Sequence, residues 1–158
     1  MQTMMDGQQI RIVRLSPMRV LSAHAYGESP ETAAFEKLQR YAEEKNLLQE
    51  GQLPPTFGFN NPNPAPGSPN YGYEVWLPLE GELDPSGDIR LVDFEGGLYA
   101  VASCYGLQNI GEEWLALAKW REGTAYAPGQ HQWLEHLLSP PNAAMEDFVF
   151  DLYLPVAE

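Results

Sequence analysis

The chain has 158 residues, 44% of them hydrophobic, and carries 9 Lys and Arg against 22 Asp and Glu, a formal net charge of −13. That length suits a single domain with its own core, and the apolar and aromatic content excludes a chain held unfolded by charge repulsion. Direct nucleic-acid binding is disfavoured, because Lys and Arg neutralising phosphates supply most of that affinity, whereas cationic partners gain from the same field.

Cys104 is the single cysteine, so no intramolecular disulfide can form, and no His/Cys spacing has the pattern of a zinc site. Neither a basic start followed by an apolar stretch nor a run of about 18 apolar residues is present, so export and membrane insertion are not expected. A cytoplasmic protein without metal or cofactor is the expectation.

In chain order, residues 9–15 and 19–26 are rich in β-formers around Ser16-Pro17 and read as a bent strand or hairpin. Ser29 can cap a helix with Pro30 in its first turn, and Ala34, Phe35, Leu38, Tyr41 and Ala42 give that helix one apolar face. Two extended segments follow near 54–60 and 71–79, joined through Pro62, Pro64, Pro66 and Pro69 as an irregular or polyproline-like loop. The same order then returns. Segments 88–94 and 98–105 flank Glu95-Gly96-Gly97, and Asn109 with Glu112 can cap a helix bearing Trp114, Leu115, Leu117, Ala118 and Trp120. Further extended segments fall near 131–138 and 147–155.

This recurrence is an internal duplication. At an offset of 79, Ile10-Arg11-Ile12-Val13 lies over Ile89-Arg90-Leu91-Val92, and Ala23-His24-Ala25-Tyr26-Gly27 over Ala102-Ser103-Cys104-Tyr105-Gly106. Phe35, Leu38 and Tyr41 fall on Trp114, Leu117 and Trp120, which assigns both tryptophans to core packing. At an offset of 77, Tyr73-Glu74-Val75-Trp76-Leu77-Pro78-Leu79 overlays Phe150-Asp151-Leu152-Tyr153-Leu154-Pro155-Val156. The expected fold is therefore α+β. Tandem strand-helix-strand-strand modules, about 9–80 and 88–156, pack with pseudo-twofold symmetry as one domain over 1–158, an antiparallel sheet with both helices on one face.

Alternation splits the last strand of each module into two faces. Tyr73, Val75 and Leu77, like Phe150, Leu152 and Leu154, suit the helix-packed core. On the opposite face Glu74 and Trp76, and Asp151 and Tyr153, set a carboxylate beside a large aromatic. Such a face is either a groove for a lipophilic cation or a row of cross-strand partners facing solvent.

The strand Tyr99-Ala100-Val101, a Trp-bearing helix, Trp133-Leu134-Glu135-His136-Leu137 and Tyr153-Leu154-Pro155-Val156 together resemble the GyrI-like effector-binding domains. These are the ligand-sensing part of Rob and of BmrR-type multidrug regulators, and they also occur as stand-alone proteins. The resemblance runs from about Ile10 to Val156, and Gly58-Phe59-Asn60-Asn61-Pro62 is similar to the stretch that ends the family's third strand. Where the family strand usually reads Phe-Glu-any-Tyr, this chain keeps Glu135 and replaces both aromatics. The resemblance implies that Glu135 meets the positive charge of a ligand inside an apolar, aromatic-walled pocket.

Physically, a carboxylate in a strand with Trp133, Leu134, Leu137 and Leu138 pays for desolvation if buried, and an organic cation relieves that cost. Gly58 holds the position equivalent to Glu135 at the 77-residue offset, and is expected to open space for the ligand's apolar body. Trp133 and Tyr105 are candidate walls, with edge packing as the other reading of Trp133. The histidines and serines show no catalytic spacing.

The first functional expectation is thus a non-enzymatic, stand-alone protein binding amphipathic, cationic small molecules in a groove between its halves, at Glu135, Glu74, Trp76, Tyr105, Trp133, Tyr153 and Gly58. The chain has no spare residues for a DNA-binding module, so a transcriptional role would need a DNA-binding regulator as partner. Two alternatives follow from the resemblance. One is a protein–protein modulator, such as an inhibitor of DNA gyrase. The other is a hydrolase of reactive cyclopropane-type natural products, with Glu135 as general base and Tyr105 or Tyr153 as proton donor.

Overall fold

The computed structural model describes residues 2–5, 8–85 and 87–158. In chain order the elements are β1 (Gln2–Met5), β2 (Gln8–Leu15), β3 (Met18–Glu28), α1 (Glu31–Glu44), β4 (Thr56–Asn60) and β5 (Asn70–Pro78). Then come β6 (Arg90–Phe94), β7 (Gly97–Tyr105), α2 (Ile110–Glu122), β8 (Ala127–Pro128), β9 (Leu134–Leu137) and β10 (Val149–Ala157). Short 3-10 turns at Leu107–Asn109 and Met145–Asp147 precede α2 and β10. The class is α+β, with every paired strand among the described residues antiparallel.

The chain forms two compact units, Met18–Phe94 and Met1–Pro17 together with Glu95–Glu158. In the first, the strands run β4-β5-β3-β6. Leu21, Ala23 and Ala25 of β3 and Tyr73, Val75 and Leu77 of β5 point to α1, whose Ala34, Leu38, Tyr41 and Ala42 complete the core. The helical residues recur at about one turn, so one stripe is buried along its length. Removing the fully buried Leu38 side chain by substitution with Ala would cost about 2–5 kcal/mol.

In the second unit the strands run β1-β2-β7-β10-β9, with β8 pairing the end of β10. Here α2 lies against β7 and β10. It packs less completely than α1: only Leu117 is buried, while Trp114 and Trp120 are half-buried and Leu115 is exposed.

The hairpin expected around Ser16-Pro17 is not formed. β2 pairs with β7, and β3 pairs with β6. The related segments at 10–13 and 89–92 each fill the same kind of slot in the other repeat's sheet: Ile12 stands opposite Ala100, and Leu91 opposite Leu21, one pair carried into the other by the 79-residue shift. The 77-residue shift likewise carries the pair Gly58–Val75 into Glu135–Leu152.

Neither expected helix cap is made. Pro30 occupies the cap of α1 with no side-chain bond, and Ser29 sits at φ 49°. The Asn109 amide instead donates to the Tyr105 carbonyl at 2.8 Å, closing the turn at Gly106, whose φ of 91° favours glycine.

Candidate functional site

Alternation along β9 puts Leu134 and His136 on one face and Glu135 and Leu137 on the other. Register then sets Glu135 opposite Leu152 and Leu137 opposite Phe150, with Ala102 and Cys104 next across the sheet. This is the face that α2 covers. The Trp114 indole N–H donates to Glu135 Oε2 at 3.0 Å, and its ring lies 5.2 Å from Trp133 at 37°. Glu135 is half-buried, and Trp133 remains 47% exposed. An anion, an indole donor and two ring faces are therefore gathered where α2 does not seal its sheet.

A second carboxylate stands nearby. Glu113 precedes Leu117 by four residues, which places both on the sheet-facing stripe of α2, and Glu113 Oε2 is out of contact with solvent. Burial first, then the fields of Glu113 and Glu135, push the Cys104 thiol up to about 11. Both acids thus act on one buried atom. The match to Phe35 assigns Trp114 to the core; the looser seating of α2 gives it a polar task instead. The signal for Glu113 in the sequence is its four-residue spacing from Leu117.

Tyr105 and Tyr153 lie on the other face of the same sheet, so neither walls Glu135 nor sits placed to pass it a proton. Tyr153 stands opposite Val101 and Leu134, and the odd-numbered residues of β7 up to Tyr105 share that side. Tyr153 is buried beside Tyr99 and His136, at 5.6 and 6.0 Å between ring centres. Burial, then Asp151, raise the Tyr153 phenol, with Arg11 opposing. Asp151 accepts from Ser103 at 3.0 Å and pairs with Arg11 at 3.1 Å. Burial holds the His136 imidazole below its usual range, against Asp151.

Glu74 and Trp76 do face away from α1, but they form no open groove. Glu74 is 5% exposed and accepts from Ser22 Oγ at 2.8 Å, Trp76 Nε1 at 2.6 Å and Asn61 Nδ2 at 3.1 Å. Trp76 packs against Phe59 and Phe94 at 4.9 and 5.4 Å. Three donors on one buried carboxylate satisfy it without a ligand. His24 Nε2 donates to the Asn61 carbonyl at 2.6 Å, which holds the Asn61 loop against β3.

Gly58 does not open space either. A Cβ there would overlap the hydroxyl of Tyr73, a buried core residue whose ring fills the volume. A separate cavity of about 460 Å³, open to solvent, lies beside Arg14, Leu98, His131 and Glu158, away from Glu135. Among the described residues no group of three or more acidic, His or Cys side chains is arranged to hold a metal ion, and no helix is long and apolar enough to cross a membrane.

Residues 11–156 match the model of the family described as Cass2, integron-associated effector binding protein. No curated protein matches the chain. Among solved structures, a hydrolase from Listeria innocua is similar at 16% identity and a TM-score of 0.69, over 94% of this chain and 91% of that one. The EcmrR C-terminal domain is similar at 11% identity and a TM-score of 0.69, over 96% and 98%. The structure of SAV2435 bound to tetraphenylphosphonium is similar at 12% identity and a TM-score of 0.55, over 93% of each chain. At these identities the likeness is one of fold.

Proposed function

Because the chain belongs to the family of integron-associated effector binding proteins, we propose that it binds an amphipathic organic cation on the α2 side of its second unit, with Glu135 as counter-charge and Trp114 and Trp133 as walls. The observation that carries this reading is the Trp114–Glu135 hydrogen bond beside a half-exposed Trp133. The bond aims one carboxylate oxygen, while ring faces attract a cation by about 0.5–2 kcal/mol each. Tetraphenylphosphonium, named with one structural relative, is a cation of this chemistry. A cytoplasmic setting accords with a single, buried cysteine that forms no intramolecular disulfide.

Titrating tryptophan fluorescence with tetraphenylphosphonium tests the site. Saturable quenching is expected, and Glu135→Gln should cost about 1–3 kcal/mol, a loss of roughly 5- to 150-fold. Neutral triphenylphosphine oxide should bind weakly and ignore the substitution. Equal affinity of wild type and Glu135→Gln for the cation removes the electrostatic anchor.

A second reading, hydrolysis of a bound compound, is favoured by the two carboxylates that act together on Cys104 and by the name of the Listeria relative. In it Glu113 and Glu135 would divide the roles of acid and base. Incubation with a strained cyclopropane substrate and mass spectrometry of the products separates turnover from binding.

A further inference from the structure

We propose that the end of the sheet where β7 stops and β10 begins is a docking surface for a basic amphipathic segment of a partner protein. Apart from Tyr26, the exposed large apolar side chains among the described residues all fall between 105 and 145. Four of them gather at this end. Tyr105, 63% exposed, stands opposite Val149, whose carbonyl accepts from the Leu138 N–H at 2.9 Å. Leu107 and Met145 occupy the two 3-10 turns, which pack against each other, and Gly106 N–H bonds the Phe148 carbonyl at 2.8 Å to tie the same two segments. Met145 is 55% exposed, although the turn that carries it could have placed a polar side chain there at no cost to the core.

The charge around this patch selects the partner. Glu146 and Asp147 follow Met145 in its turn and are exposed, and Glu112 stands in the first turn of α2 beside the Leu107 turn. Between residues 95 and 158 the sequence holds only two Lys or Arg, Lys119 and Arg121, and both lie in the last turn of α2, at the far end of that helix. Apolar contact supplies affinity and an acidic rim supplies orientation and rate, the pairing suited to a segment with Leu-like residues on one face and Lys or Arg at its margins. A second copy of this chain fits poorly, since each copy carries a net charge of −13 and the rims would repel. This surface is distinct from the Trp114–Glu135 site and does not depend on it.

The test uses the full chain and a fluorescein-labelled helical peptide of about 18 residues, five turns, patterned with Leu on one face and Lys on the other. A peptide with Ser in place of Leu is the control. Saturable binding of the Leu/Lys peptide is expected, at least tenfold tighter than the Ser/Lys control. The pair Leu107→Ser and Met145→Ser, both exposed positions, should weaken it at least tenfold with an unchanged thermal melt. The pair Glu146→Lys and Asp147→Lys should also weaken it and flatten its dependence on salt. Equal binding by wild type and the Leu107/Met145 variant, or equal binding of the two peptides, overturns the proposal. So does light scattering that finds a dimer dissolved by the same Leu107 and Met145 substitutions.

Discussion

The Trp114 indole, carried on α2, reaches the Glu135 carboxylate on β9 at 3.0 Å and in doing so holds its ring against Trp133. One side chain thus orients the anion and forms part of its wall. Trp114→Phe should separate the two tasks: the ring stays and the donor goes. Tetraphenylphosphonium affinity is expected to fall by a few-fold, less than for Glu135→Gln, with stability lower by about 0.5–1.5 kcal/mol in urea unfolding. A loss equal to that of Trp114→Ala would mean that the ring alone matters.

Cys104 reports on the same region through its protons. Its folded thiol lies at about 11 against 9.0 for the free group, so folding favours the protonated form. That contribution is complete below pH 9 and disappears as pH rises through about 11. Urea midpoints measured across this window should fall more steeply for wild type than for Cys104→Ala. Glu135→Gln should lower the thiol pKa, seen as faster alkylation by iodoacetamide at fixed alkaline pH. An unchanged alkylation rate would place Glu135 too far from the thiol.

Glu74 is predicted to behave as a structural acid. Glu74→Ala leaves the Ser22 hydroxyl, the Trp76 indole and the Asn61 amide without their buried acceptor, a loss on the order of 3 kcal/mol by chemical denaturation. Glu74→Gln should be milder and leave tetraphenylphosphonium affinity at its wild-type value, the opposite of Glu135→Gln. Weaker binding in Glu74→Gln would return this residue to the ligand site.

Gly58→Ala should destabilise the fold by about 1–3 kcal/mol, since the added methyl meets the Tyr73 phenol inside a packed core. Tyr73→Leu in the Gly58→Ala background is expected to restore part of that loss, whereas Tyr73→Leu alone destabilises. Additive effects in the double variant would show that the two positions do not compete for space.

Tyr73, Val75 and Leu77 are legible in the sequence as the helix-facing side because strand alternation is a property of neighbouring peptides and needs no partner. Glu74 and Trp76 were likewise assigned to the opposite face. Alternation does not say whether that face is open, because its enclosure by Phe59 and Phe94 comes from other strands. Neighbouring strands suggest Tyr105 as a wall for Glu135; the β7–β10–β9 register, which alternation within β7 does not contain, sends the two side chains to opposite faces. The caps failed for a local reason of a different kind. Ser29 and Asn109 have the right side chains, but Pro30 takes the cap position with Ser29 before it at φ 49°, and the Asn109 side-chain amide is turned back to the Tyr105 carbonyl.

The sequence by itself determined the main strands and both helices in order, the recurrence that relates them, the alternation of faces within a strand and the resemblance to effector-binding domains. Those properties reside in short-range periodicity and in residue identity. Only the tertiary structure decided that β2 joins β7 rather than β3, that Glu74 is shut in with three donors, and that α2 sits loosely enough for Trp114 to turn to Glu135. Each of these outcomes is a competition among contacts between segments distant along the chain, and its winner depends on how whole faces fit together.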